Sequence, residues 1–163
     1  MNTSLLHIPL LYEVVGNKEF KEGLVDLVFK EAKNKEEVYG NPFVKFHNSV
    51  TSIGIHIVWN CNSLTSIIIP DGVTSIEDYA FYDCSSLTSV IISKSVTFIG
   101  NSAFRNCSKL TSITIPEGVT SIGDSVFRNC SKLTSTTIPK KFESRINDIF
   151  YGVDLSKIKI TYI

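Results

Sequence analysis

The chain has 163 residues and a mass of 18.1 kDa, with 43% hydrophobic and 20% charged residues, which is the make-up of one folded domain rather than of a disordered segment. Sixteen Lys and Arg balance sixteen Asp and Glu, so the surplus of positive charge that serves nucleic acid or anionic membranes is missing. Four cysteines and three histidines leave disulfide, metal and thiol chemistry open until their spacing is read.

The opening run from Leu5 to Tyr12 is apolar, but His7 and Pro9 interrupt it and Glu13 follows. No Lys or Arg precedes it, so it is a poor secretory signal, and it is too short to span a bilayer. It reads as an extended segment over the edge of a core. From Asn17 the spacing turns helical: Asn17 suits an N-cap, Glu19 and Glu22 suit the positive helix end, and Phe20, Leu24, Leu27 and Val28 share one face. The helix is predicted from Asn17 to about Glu37, closed by Gly40 and Pro42. Its many charges fit the solvated outer face of a cap, or else a docking helix. Residues 1–41 are assigned to this strand-and-helix cap.

Beyond it the chain repeats. Cys61, Cys84, Cys107 and Cys130 are spaced by 23 residues, as are Phe81, Phe104, Phe127 and Phe150, and Leu64, Leu87, Leu110 and Leu133. Unrelated residue types sharing one period mark a tandem solenoid repeat. The clearest unit runs from Asn106 to Arg128. Within it Leu110, Ile113 and Ile115 fit a short strand, which Pro116 ends for want of an N–H. Glu117-Gly118 is expected to turn the chain, with the glycine supplying the backbone shape. Val119 and Ile122 form a second extended segment, and Val126 and Phe127 a brief helical turn. The unit from Asp83 to Arg105 has Ser93 and Ser95 in place of the proline and glycine, whereas the unit from Asn60 keeps both as Pro70 and Gly72. A single unit cannot bury its apolar side; stacked units cover one another, turning the Leu, Ile, Phe and Cys positions into interior ladders. At the far end Lys140-Lys141 replaces the usual turn and Arg145 the interior Ile, and residues 153–163 are predicted as a charged capping strand.

The candidate chemistry is sparse. No C-x-x-C pair and no zinc-like histidine spacing occurs, and same-position cysteines in an interior ladder are expected to be free thiols. His7, His47 and His56 lack catalytic companions; His56 falls where the next unit has Tyr79, and His47 where it has a proline. Asn106 and Asn129 open glycosylation-like triplets but recur with the period, so they are read as structural asparagines bonding the turn backbone. Serines and aspartates also recur with the period, and no nucleophile elbow, phosphate loop or carboxylate pair is present. The reading is therefore of a chain that is no enzyme and needs no cofactor or metal.

The string C-x-x-L-T-S-I-x-I-P-x-G-V-T-S-I-G-x-x-x-F, from Cys107 to Phe127, resembles the BspA-type (Treponema-type) leucine-rich repeat, strongly over about residues 60–139 and with degraded edges over about 42–150. The resemblance implies an α/β repeat: a right-handed solenoid over residues 42–152 with a parallel sheet on its concave side, behind an N-terminal helical cap. It also implies non-enzymatic recognition of a protein partner, in a family whose members are often cell-surface or secreted proteins used in adhesion. On the concave strands the outward positions Ser66, Ile68, Ser89, Ile91, Ser112, Thr114, Ser135 and Thr137 are the candidate binding residues, beside Thr65, Thr88, Thr111 and Thr134. A structural spacer or self-assembling module is the alternative use of such repeats, and an ice-binding hydroxyl array a more remote one. A monomer is expected, without nucleic-acid binding or membrane insertion.

Overall fold

Each repeat unit contributes two short strands separated by a turn, because its apolar residues come in two brief alternating segments that Pro and Gly or Ser punctuate. The computed structural model describes residues 43, 44, 46 and 50–163; the predicted strand and helix of residues 1–41, with His7 and His47, lie outside these. The first strand of successive units gives β1 (Phe43–Val44), β3 (Ser66–Ile68), β5 (Ser89–Ile91), β7 (Ser112–Thr114) and β9 (Ser135–Ile138). The second gives β2 (Ser52–Ile53), β4 (Ser75–Ile76), β6 (Phe98–Ile99) and β8 (Ser121–Ile122). All pairings are parallel and equivalent positions face each other, as in Ser66 with Ser89 and Ile76 with Ile99.

The second strands form one continuous sheet in the order β2-β4-β6-β8. The first strands form two ladders, β1-β3-β5 and a second that begins at β7, with no ladder pairing between β5 and β7. Across that seam the Thr111 N–H reaches the Thr88 carbonyl at 3.5 Å, whereas Thr88 and Thr134 make the matching bond at 2.9 Å. The coil on one side is the one that departs from the repeat: it has Val90 where its neighbours have Ile67 and Ile113, and Ser93 and Ser95 in its turn. Those two serines tie the turn to the coil before it, Ser93 Oγ donating to Asp71 Oδ1 at 2.6 Å and Ser95 Oγ to the Val73 carbonyl at 2.8 Å.

Between the sheets the predicted ladders are present. The rings of Phe81, Phe104, Phe127 and Phe150 stack with centroids 5.1, 5.7 and 5.1 Å apart, about the spacing of neighbouring strands, and all four are buried. Leu64, Leu87 and Leu110 are likewise buried, each such side chain contributing about 1.5–3 kcal/mol. One interior place departs from this: Thr136 stands where Ile113 stands one coil earlier, 2% exposed, and its hydroxyl has no hydrogen-bond partner.

The turns differ from expectation in one respect. Left-handed backbone is carried chiefly by two columns of non-glycine residues: His56, Tyr79, Ser102 and Ser125 at φ of 53–57°, and Asn60, Asp83, Asn106 and Asn129 at 58–65°. Asn and Asp tolerate that region better than most residues. Gly72 has a φ of 95°, but Gly118, assigned from the sequence to the same role, is outside the left-handed region. Its reason is space, since a Cβ there would lie 3.0 Å from the Lys94 carbonyl oxygen of the coil before.

After β9 the chain makes a 3-10 segment (Lys140–Arg145), a single helical turn α1 (Ile146–Ile149), a 3-10 turn (Leu155–Lys157) and β10 (Lys159–Tyr162). β10 is a further rung of the first-strand ladder, parallel to β9 with Lys159 opposite Ser135 and Thr161 opposite Thr137.

Candidate functional site

The outward side chains of the first strands fall into three columns. Thr88, Thr111 and Thr134 form the first, and their hydroxyls are consumed internally. Each donates to the carbonyl 23 residues earlier, at 2.9, 3.4 and 3.2 Å, in addition to the backbone N–H of the same residue. That column stitches coil to coil.

Ser66, Ser89, Ser112 and Ser135 form the second column and Ile68, Ile91, Thr114 and Thr137 the third, paired rung by rung within each ladder. Among the described residues the hydroxyls of these serines and of Thr114 and Thr137 have no hydrogen bond within the chain, so both lone pairs and the proton are left for solvent or a ligand. Ile68 and Ile91 are 61% and 57% exposed, an unusual amount of apolar surface for two adjacent side chains on a sheet. β10 lengthens both columns, adding Lys159 to the serines and Thr161 to the threonines. The resulting face is apolar at one end, hydroxylated in the middle and cationic at the other.

Lys159 and Thr161 were not among the sequence candidates. Their signal is the alternation Ile158-x-Ile160-x-Tyr162, which turns one set of side chains toward the core, Ile158 buried and Ile160 and Tyr162 partly so, and exposes the other. The step from Ser135 to Lys159 is 24 residues instead of 23, so period counting passes over it.

The four cysteines are free and buried. The thiols of Cys84, Cys107 and Cys130 donate to the carbonyls of Val58, Phe81 and Phe104 at 2.9, 3.4 and 3.3 Å. Burial pushes the Cys61 thiol up to about 11 and those of Cys84 and Cys130 up to about 12, and holds Cys107 well above the ordinary value. A thiol so protonated is neither nucleophile nor metal ligand near neutral pH. Among the described residues no group of three or more His, Cys, Asp or Glu is placed to hold a metal ion, and no helix is long and apolar enough to cross a membrane.

His56 stacks on Tyr79 with centroids 5.2 Å apart, as its place in the repeat suggests. The asparagine column corrects an expectation: Asn129 Nδ2 donates to Asn106 Oδ1 at 2.9 Å, so these amides bond each other instead of the turn backbone. Their recurrence follows from the left-handed backbone they occupy.

In-register parallel strands on two sides, with ladders of one residue type between them, define a leucine-rich-repeat solenoid. The chain belongs to the BspA type leucine-rich repeat family, whose repeat matches in six copies over residues 41–162. Among solved structures it is similar to a leucine rich cell surface protein of Faecalibacterium prausnitzii, at 32% identity and a TM-score of 0.62, over 75% of this chain and 32% of that one. The chain thus spans about a third of that relative. A leucine-rich repeat protein of Bacteroides capillosus matches at 24% identity and a TM-score of 0.54, over 80% and 83% of the two chains. The pneumococcal vaccine antigen PcpA matches at 21% identity and 0.58, over 60% and 24%; these two show the fold alone. No curated protein matches the chain. Leucine-rich-repeat proteins are in general non-catalytic binding modules.

Proposed function

We propose that the chain recognises a protein partner, without catalysis, across the face formed by β3, β5, β7, β9 and β10. The observation that carries this reading is the division of labour among the hydroxyl columns. The threonine column is spent on holding coils together, while the serine column and the column from Ile68 to Thr137 make no internal hydrogen bond. The partner that suits the face presents a small apolar patch to Ile68 and Ile91, mixed donors and acceptors to Ser89, Ser112, Thr114, Ser135 and Thr137, and a carboxylate to Lys159. The similarity to a cell surface protein of Faecalibacterium prausnitzii supports a place on a cell surface.

The test replaces Ser89, Ile91, Ser112 and Thr114 together by Glu. Photo-crosslinkers placed at position 112 on this face, and at position 97 beside the second sheet, report where captured proteins sit. Recognition through this face predicts crosslinks from position 112 alone and loss of capture by the quadruple variant with its circular dichroism unchanged. A spacer tolerates the change, and unaltered capture by the folded variant counts against the proposal.

A further inference from the structure

A second column, on the turns that lead from the second strand of one coil to the first strand of the next, is independent of the face just described. Trp59, Tyr82, Arg105, Arg128 and Tyr151 are spaced by 23 residues. Backbone bonds join the coils at this level, the N–H groups of Asn60, Asp83 and Asn106 donating to the carbonyls of Tyr82, Arg105 and Arg128 at 2.9, 2.9 and 2.8 Å. The interior column beside it is four identical phenylalanines; this one is three aromatic rings and two guanidinium groups.

The two arginines divide toward opposite ends of the stack. Arg105 lies over the Tyr82 ring of the coil before, 5.5 Å from its centroid, and Arg128 over the Tyr151 ring of the coil after, at 5.0 Å. Among the described residues neither is in an ion pair, and Arg105 Nε is buried with no acceptor. Two uncompensated cations on adjacent coils repel, and each carries a planar fork of donors that an oxyanion satisfies in a bidentate way. The aromatic platform continues from Tyr82 to Tyr79 at 5.8 Å, to His56 at 5.2 Å and to Trp59 at 5.8 Å. At its ends Trp59 and Tyr151 are 50% and 56% exposed.

We infer that this column binds an acidic polysaccharide lying along the stack, with one sulfate or carboxylate group on the guanidinium of Arg105, another on that of Arg128, and the apolar faces of sugar rings resting on the exposed rings of Trp59 and Tyr151. The pattern fits a linear ligand, because it offers one contact per coil at about the strand spacing of 4.8 Å. It does not fit a nucleic-acid duplex, since the charge is confined to two residues in a chain of net charge zero and a phosphate backbone finds no further cations along the column.

Isothermal titration with a heparin oligosaccharide, an oligogalacturonate, a neutral cello-oligosaccharide and a short DNA duplex tests this. The expected result is binding to at least one of the two acidic sugars, stronger at low salt, with neither neutral sugar nor duplex bound comparably. The pair Arg105→Gln and Arg128→Gln then weakens binding about tenfold or more, Trp59→Ala weakens it further, and a charge-neutral quadruple Gln variant at positions 89, 91, 112 and 114 of the strand face leaves it unchanged. No binding of either acidic sugar, equal binding of the neutral sugar or the duplex, or undiminished binding by the Gln pair overturns the proposal. If the Gln pair does not fold, Arg105→Lys with Arg128→Lys replaces it. That pair keeps the charge and loses the fork, and undiminished binding there overturns the proposal equally.

Discussion

The guanidinium of Arg145 donates through Nη1 to the carbonyl of Ile122, a bond that in the coils below is made by backbone. The Gly100 N–H serves the Ile76 carbonyl at 2.7 Å and the Gly123 N–H serves that of Ile99 at 2.8 Å. The second nitrogen repeats the substitution. Arg145 Nη2 bonds the Asp124 carboxylate, just as the Asp124 N–H bonds Asn101 Oδ1 at 2.9 Å and the Asn101 N–H bonds Asp78 Oδ1 at 2.6 Å. One side chain thus replaces two amides of an absent rung and closes the sheet that ends at β8. Arg145→Ala leaves that carbonyl to water, and because the group is partly exposed the expected loss is about 1–2 kcal/mol. Urea unfolding of the two proteins measures it, and equal midpoints would show that the cap is dispensable.

Thr136 offers the opposite change. Its buried hydroxyl has no partner, so Thr136→Val keeps the shape and removes an unsatisfied polar group. The variant is expected to gain about 1 kcal/mol or more, read as a rise in Tm. Thr136→Ala, which removes the methyl as well, is expected to lose stability through the cavity it leaves.

The cysteine ladder sets an alkaline limit. Folding raises the thiol values from an ordinary 9.0 to about 11 for Cys61 and about 12 for Cys84 and Cys130. The unfolded chain therefore releases protons at lower pH than the folded one. The stability held in the neutral thiols is complete below about pH 9 and falls as the pH climbs toward 11–12. Urea midpoints from pH 7 to 10.5 should decline at the top of that range, and a variant with all four cysteines replaced by Ala should lack this component. Thiol reagents should label the folded protein slowly at pH 8 and rapidly once it is unfolded.

Removal of residues 153–163 strips β10 from β9. The bonds lost include Lys159 N–H to the Thr134 carbonyl at 2.8 Å and Lys140 N–H to the Ile163 carbonyl at 2.8 Å. An uncovered, nearly uncharged β9 is a template for another strand, so the shortened protein is expected to associate. Light scattering behind a sizing column decides the matter, and a soluble monomer would refute it.

Much of the fold was legible because its core is written in identical letters. Phe81, Phe104, Phe127 and Phe150 occupy one slot, and a slot that must stack rings on itself tolerates little else. The outward face of the first strands was legible as far as Thr137 for the same reason, since alternation within each unit separates inward from outward positions. Reading failed where the period slips or the chemistry varies. Lys159 lies one residue out of step, and the column from Trp59 to Tyr151 changes residue type at nearly every coil while keeping its spacing. The role of Gly118 was misjudged because a glycine needed for room and one needed for a positive φ look alike in sequence. The hydroxyls of Thr88 and Ser89 are also indistinguishable in sequence; only the geometry shows one spent and the other free.

The seam between β5 and β7 gives the molecule an uneven mechanics. On one side the sheet from β2 to β8 runs unbroken past these coils, like the spine of a book, while the strand ladder opposite is interrupted midway. Bending that spreads the interrupted side strains few hydrogen bonds, whereas bending that stretches the spine strains a whole row of them. The molecule is therefore expected to yield more easily in one direction, about a line between Ile91 and Thr114. A partner seated across these two residues would set the curvature of the solenoid as well as occupy it.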